Sequence, residues 1–151
     1  MEINQKFFDK IEPVLEELEK KLKSEFVVFG SGPLYLLGVL ELKEDFNDLD
    51  IAVRNTSAIV KEAKEVYFAG DLNQKLYKIN INGINVDIGS VWPGQEEIFG
   101  KLFENPIVVK GFKFVNLDNC QKWKEWTVKK YDREKDRRHL EKIKEFREKE
   151  K

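Results

Sequence analysis

The dipeptide Asn82-Gly83 constrains the fold of this chain more than any other feature, because it joins two segments of alternating apolar and polar residues. Asn-Gly readily adopts the two positive-φ conformations of the tight turn whose twist matches that of paired strands. Residues 75–81 and 84–91 are therefore predicted to form an antiparallel hairpin. A second hairpin is predicted around Gly111, between residues 107–109 and 112–115. Any sheet in this protein must be at least partly antiparallel.

Apolar residues recur at helical spacing near both ends of the chain. In the first 24 residues they predict an amphipathic helix that restarts at Pro13, since proline suits a first helical turn better than an interior. From Asp118 the pattern is helical again, with a break near Tyr131-Asp132 and a last helix over residues 133–150. The apolar positions of the first helix are Phe7, Phe8, Ile11, Val14, Leu15, Leu18 and Leu22, and those of the last are Leu140, Ile143 and Phe146.

Between these helices, short apolar runs predict buried strands. Residues 26–29 and 48–53 are predicted strands, and residues 34–38 a short buried helix that follows the break at Gly30-Ser31-Gly32-Pro33. Thr56 or Ser57 is expected to cap a helix over residues 59–64. The fold class is thus α+β, with a mixed sheet flanked by helices and a helical C-terminal segment. One domain is expected over residues 1–151: an N-terminal helix (1–24), a sheet core with the active site (25–117) and C-terminal helices (118–151).

Composition excludes several classes of protein. With 41% apolar residues among 151, the chain is globular rather than disordered. A single cysteine, Cys120, excludes an internal disulfide and disfavours a zinc cluster, and we interpret it as a small buried residue. There is no apolar run of membrane-spanning length and no signal-peptide pattern, so we expect a cytoplasmic protein without a membrane partner. Residues 122–151 carry 13 Lys or Arg against 8 Asp or Glu, which is typical either of a solvated helix or of a surface that holds polyphosphate.

Asp48 and Asp50 are separated by one residue in a predicted strand, so their side chains point to the same face. Leu49 and Ile51 then point to the other face, into the core. Asp87 occupies an equivalent place on another strand, and the three carboxylates would converge if the two strands were neighbours. Oxygen ligands of this kind suit one or two Mg²⁺ ions. Isolated Asp-x-Asp pairs are nevertheless common as turn residues or exposed charges.

The turn Gly30-Ser31-Gly32 follows one predicted strand and opens a helix. Glycines allow the backbone to approach a ligand, and a helix start presents free N–H groups to an anion. This turn is a candidate phosphate cradle, although it matches neither of the two common phosphate-loop patterns. Many strand–helix turns carry glycine for geometry alone.

Together these motifs resemble the DNA polymerase β-like nucleotidyltransferase superfamily, through the stretches FVVFGSGPLYLLG, NDLDIAV and INVDIGS. The resemblance implies that Gly30 and Ser31 hold the triphosphate, that Asp48 and Asp50 bind metal, and that Asp87 completes the site as a base toward the acceptor hydroxyl. The C-terminal stretch looks like that of small stand-alone members, whose Arg-x-Lys-Asp element corresponds to Arg133, Lys135 and Asp136. The chain departs from many small members at residues 44–47, where Glu-Asp-Phe-Asn replaces a basic residue.

The function expected from this resemblance is transfer of a nucleoside monophosphate from a nucleoside triphosphate such as ATP to a hydroxyl group. The catalytic and metal-binding residues would be Asp48, Asp50 and Asp87, and the nucleotide would bind Gly30, Ser31 and Lys135. The expected acceptor is a protein or a small molecule, with a homodimer or a helical partner protein as a further possibility. Nucleic acid is disfavoured by seven acidic residues between positions 132 and 150. The alternative is a non-catalytic nucleotide-sensing or partner-binding protein on the same fold, such as one half of a toxin–antitoxin pair.

Six other residues leave two interpretations open. Lys135 and Asp136 fit either a role in the site or an exposed pair on a helix surface. His139, the only histidine, has no visible partner for acid–base chemistry. The tryptophans at positions 92, 123 and 126 are expected to pack in the core rather than to stack on bases.

Overall fold

A computed structural model describes residues 2–150, and the first and last residues of the expected domain, Met1 and Lys151, lie outside them. The described residues form seven strands, five α-helices and one short 3-10 helix (Phe68–Gly70). The strands are β1 (Phe26–Phe29), β2 (Asp48–Val53), β3 (Lys64–Tyr67), β4 (Lys75–Ile81), β5 (Ile84–Gly89), β6 (Ile107–Val109) and β7 (Phe112–Phe114). The helices are α1 (Gln5–Leu22), α2 (Gly32–Leu36), α3 (Glu96–Lys101), α4 (Leu117–Tyr131) and α5 (Glu134–Lys149).

All seven strands form one sheet in the order β3-β4-β5-β2-β1-β7-β6. The pairs β2–β5 and β1–β7 are parallel, and the others are antiparallel. Both predicted hairpins are present, and Asn82 and Gly83 have φ angles of 52° and 84°. The α+β class with a mixed sheet flanked by helices and a helical C-terminal segment is confirmed.

The two faces of the sheet bury different partners. Helix α1 packs all seven of its predicted apolar residues into one core, together with Leu49, Ile51, Val86 and Ile88. On the other face, Val27, Phe29 and Ala52 pack with apolar residues of α3, α4 and α5. The aspartates lie beside this second core, in the first half of β2 and the middle of β5, where they line a cleft.

The predicted helix over residues 59–64 is wrong. Residues 57–63 form successive turns, and Lys64 already belongs to β3. The Asn55 side chain accepts the backbone N–H of Ser57 at 2.8 Å, which closes a tight turn where a helix cap was expected. Ile59 is not in a helix, yet its side chain is buried in the core that the apolar residues of α1 form.

Two helix boundaries also differ from the prediction. Helix α1 continues through Pro13 without a restart, because buried residues on both sides of the proline pack on the same sheet. Helix α2 begins at Gly32 rather than Leu34, since Pro33 lies in the first turn, where its missing N–H is not needed. Strand β3 and helix α3 are additional elements that the residue pattern did not predict.

The C-terminal helices follow the prediction closely. Helix α4 ends at Tyr131, and Asp132 caps it in the left-handed conformation with φ 55°. Helix α5 buries Ile143, with Leu140 and Phe146 partly buried beside it. No helix within residues 2–150 is both long and apolar enough to cross a membrane.

Candidate functional site

A cleft of about 380 Å³ opens between the second face of the sheet and the start of α5. It is bounded by the turn after β1, the first half of β2, the middle of β5 and the inner face of α4. All six predicted site residues line this cleft: Gly30, Ser31, Asp48, Asp50, Asp87 and Lys135. Residues that are 105 positions apart in the chain therefore share one small space.

The three aspartates are brought together by the parallel pairing of β2 with β5. In this register Asp50 is paired with Asp87, so their Cα atoms are on adjacent strands about 4.8 Å apart. Asp48 lies two residues before Asp50 and shares its face, which agrees with the burial of Leu49 and Ile51 on the opposite face. Asp48 is exposed, whereas Asp50 and Asp87 are half-buried.

The environment of Asp50 opposes its negative charge. Burial and the neighbouring Asp87 carboxylate raise the pKa of Asp50 to about 6, although the charges of Lys124 and Lys135 act in the opposite direction. Lys78 Nζ lies 3.4 Å from Asp87 Oδ1, but that buried oxygen accepts no hydrogen bond. A cation placed among these carboxylates would relieve both features.

Within residues 2–150, no three His, Cys, Asp or Glu side chains are already grouped as a ligand cage for a metal ion. The aspartates are neighbours through strand register, and their side chains would have to turn toward a shared ion. Their chemistry fits Mg²⁺, which binds one or two carboxylates and keeps several waters. Such an ion would have two ligands here: the Oδ1 atom of Asp87, which accepts no hydrogen bond, and a carboxylate oxygen of the half-buried Asp50.

The glycine turn is built around Asp50. Gly30 has a φ of +68°, and a Cβ atom at this position would overlap the Asp50 carboxylate. Only glycine combines this backbone conformation with that close approach. At Gly32 a Cβ atom would lie 2.6 Å from Val28 Cγ1, so the second glycine serves packing. Ser31 precedes α2, and its hydroxyl caps no backbone N–H of that helix.

Two charged residues at the back of the cleft extend the predicted site. Lys124 and Asp136 form an ion pair with an Nζ–Oδ1 distance of 2.9 Å, and their side chains are 7% and 3% exposed. Burial raises the pKa of Asp136, but the Lys124 ammonium outweighs it and holds that pKa below the usual range. Asp136 therefore belongs to the cleft, and the interpretation as an exposed surface pair with Lys135 is wrong.

Lys124 is a cleft residue that the sequence analysis missed, as is Lys78 beside Asp87. Lys124 lies on the same side of α4 as Cys120, Trp123 and Thr127, at spacings of three and four residues. All four residues are buried. A lysine in the buried stripe of an amphipathic helix is unusual, because lysine is almost never fully buried without a partner. That position was the available signal in the sequence.

Aromatic side chains form part of the cleft wall. Trp92 and Trp123 are buried with ring centroids 5.5 Å apart, and Trp126 packs 5.0 Å from Trp123. Their packing in the core is as predicted, yet Trp92 and Trp123 also line the cleft beside Phe68. The Arg133 guanidinium lies 4.8 Å from the centre of the Phe68 ring, which places another cation at the cleft entrance.

His139 is not part of this cleft. It lines a separate, open groove between α1, residues 38–44 and α5, and its Nδ1 atom has no hydrogen-bond partner. Burial, together with the charges of Lys124 and Lys135, lowers the pKa of His139 to about 3. The imidazole is therefore neutral at physiological pH, where it neither donates a cationic proton nor pairs with phosphate as a charge.

No protein-family model matches the chain. Comparisons with characterised proteins and with solved structures likewise give no significant match. The likeness to polymerase β-like nucleotidyltransferases thus remains a prediction from the three motifs, and the cleft geometry has to be interpreted from its own residues.

Proposed function

We propose that this protein is a metal-dependent nucleotidyltransferase that transfers a nucleoside monophosphate from a nucleoside triphosphate to a hydroxyl group of a protein or small molecule. The observation that carries the proposal is the meeting of three aspartates on adjacent strands with a Gly-Ser turn and Lys135 in one cleft. Converging carboxylates cost stability, and a fold that served only as a scaffold would have no use for them.

The cleft residues would have three roles: binding the metal ion, binding the triphosphate and accepting a proton. Asp48, Asp50 and one carboxylate oxygen of Asp87 would hold Mg²⁺, and the ion would supply charge neutralisation at the phosphates and orientation for in-line attack. Gly30 and Ser31 would hold the triphosphate, and Lys135 would contact its outer oxygens. Asp87 would accept the proton of the acceptor hydroxyl. The hydroxyl oxygen then bonds to the α-phosphorus, the α–β phosphoanhydride bond breaks, and pyrophosphate leaves.

The size and lining of the cleft support a nucleotide as its ligand. Its volume of about 380 Å³ is in the range of small-molecule sites. Phe68, Trp92 and Trp123 would provide an apolar surface for a base in the same cleft as the aspartates. Such a cleft can contact both the apolar and the charged parts of one ligand.

Calorimetric titration of Mg²⁺–ATP and the other Mg²⁺–nucleoside triphosphates into the wild type, Asp50→Asn and Asp118→Asn tests the site. Asp118 is an exposed carboxylate on α4 outside the cleft, which makes it a matched control. We expect metal-dependent binding by the wild type and Asp118→Asn, and loss of that binding in Asp50→Asn. Equal binding by all three proteins would contradict the proposed site.

Transfer of label from an α-labelled triphosphate then separates an enzyme from a nucleotide sensor on the same fold. Incubation with candidate acceptors should attach the labelled monophosphate and release unlabelled pyrophosphate. A protein that binds the triphosphate but leaves it intact with every acceptor, including its own chain, would instead be the non-catalytic alternative.

A further inference from the structure

Within the described residues, the ion pair with Asp136 leaves N–H donors of the buried Lys124 ammonium without an acceptor. An ammonium group has three N–H donors. Among residues 2–150, the only hydrogen-bond acceptor for the Lys124 ammonium is Asp136 Oδ1, at 2.9 Å. A buried charged group with unused donors is costly. The remaining donors belong to a side chain that lines the cleft, where a ligand could accept them.

Asp136 fixes the position of the Lys124 ammonium but shares its negative charge with a second cation. Asp136 is 2% exposed, and its second oxygen, Oδ2, accepts no hydrogen bond. Arg133 Nη1 is 3.8 Å from that oxygen, and Lys135 lies one residue away on the chain. Lys124 and Arg133 therefore place two cations beside one buried carboxylate. This imbalance gives the inner wall of the cleft a positive charge.

A purely structural explanation accounts poorly for this pair. Replacing a buried ion pair with apolar residues is often neutral or stabilising, so such a pair is weak evidence for stability. Around it, α4 and α5 already pack through Trp123 and Ile143 in an apolar core. A charged pair in that position, open to the cleft, is better suited to meet an anion.

We propose that Lys124, held in place by Asp136, is the inner phosphate-binding cation of the cleft and contacts the polyphosphate of the ligand from the side of α4. This inference rests on the proposed function, because it takes the anion to be the triphosphate of a nucleotide. It adds a binding residue on a helix to the site predicted from the strands and the glycine turn. Asp136 is then a positioning residue, which acts only through Lys124.

The test measures Mg²⁺–tripolyphosphate binding, because this probe carries the anion without the nucleoside. Lys124→Met is compared with Lys129→Met, which removes an exposed lysine from the same helix outside the cleft. We expect Lys124→Met to weaken affinity about tenfold to a hundredfold, as for loss of a charge-assisted hydrogen bond. Lys129→Met should bind as the wild type does. Failure of the wild type to bind tripolyphosphate would overturn the proposal.

A double variant separates binding from folding. Lys124→Met leaves Asp136 buried without its ion pair, so the single variant should also melt at a lower temperature. In Lys124→Met/Asp136→Leu both charges are gone, and we expect the melting temperature to recover while tripolyphosphate affinity stays low. Recovery of affinity together with stability would show a structural role for Lys124 and refute the proposal.

The same proteins distinguish this inference from the proposed function. Lys124-dependent binding of tripolyphosphate without any transfer from labelled nucleoside triphosphates would retain the anion site and reject the nucleotidyltransferase. Transfer activity combined with unchanged tripolyphosphate affinity in Lys124→Met would retain the enzyme and reject the role of Lys124.

Discussion

Replacing Asp50 with asparagine should stabilise the metal-free protein at pH 8. The raised pKa, about 6 against an ordinary value of 3.8, means that folding disfavours the ionised carboxylate. The difference corresponds to roughly 3 kcal/mol at most. Asparagine has the shape of the protonated acid without its charge, so Asp50→Asn should recover much of that free energy. For a protein of this size, this is an increase in melting temperature of roughly 6–12 °C at most.

The stability difference between the wild type and Asp50→Asn should depend on pH. Well below pH 3.8 the Asp50 carboxyl is neutral in both the folded and the unfolded state, so wild type and variant should be equally stable. As pH rises from about 4 to about 6, the unfolded chain loses the proton before the folded protein does, and the wild type becomes the less stable of the two. Above that range the difference should be constant.

Chemical denaturation of both proteins at pH 4 and pH 8, with and without Mg²⁺, measures these differences. Mg²⁺ should stabilise the wild type at pH 8 and have less effect on Asp50→Asn, since the ion offsets the same repulsion. Asp118→Asn is the control for removal of an exposed charge. A variant that is less stable than the wild type at pH 8 would refute the inference that Asp50 carries an unfavourable charge.

Three further substitutions test the framework around the cleft. Gly30→Ala should destabilise the protein by at least about 2 kcal/mol and abolish Mg²⁺–triphosphate binding. The alanine would have to adopt a positive φ, and its methyl group would overlap Asp50. Denaturation measures the first effect and calorimetry the second. Pro13→Ala should raise the free energy of unfolding by up to about 3 kcal/mol, since Pro13 is exposed inside a continuous helix; an unchanged or lower value would contradict this. Ile143→Ala should cost about 2–5 kcal/mol, because Ile143 is the one fully buried apolar residue of α5; hydrogen exchange should show α5 losing protection before the sheet does.

The two strands that carry the aspartates could be predicted because their residues alternate around those aspartates. The pattern of β2 and β5 places Leu49 and Val86 on the buried face and the aspartates on the other, with no information needed from the rest of the fold. The Asn82-Gly83 turn likewise fixes the register of β4 with β5 locally. What the pattern could not provide is the parallel pairing of β2 with β5. That contact joins segments more than thirty residues apart and depends on tertiary packing.

The errors arise where tertiary contacts outweigh local preference. Residues 57–63 carry a plausible cap and apolar spacing, but Ile59 is fixed by the α1 core and the chain must reach β3 at Lys64. Pro13 suggests a helix start, but the packing of α1 on the sheet outweighs one missing hydrogen bond. Lys124 was overlooked because its ion-pair partner, Asp136, lies on the next helix.

Several unfavourable features of this protein lie together in the cleft. The face of the sheet under α1 is a continuous apolar core, whose members are seven residues of the helix and the inward side chains of β2 and β5. The cleft face combines the destabilised charge of Asp50, the positive φ of Gly30 and the buried Lys124. Selection for stability alone would remove such features, and natural proteins retain them mainly where they serve a function. Their meeting within about 380 Å³ therefore favours a ligand-binding site over a structural surface.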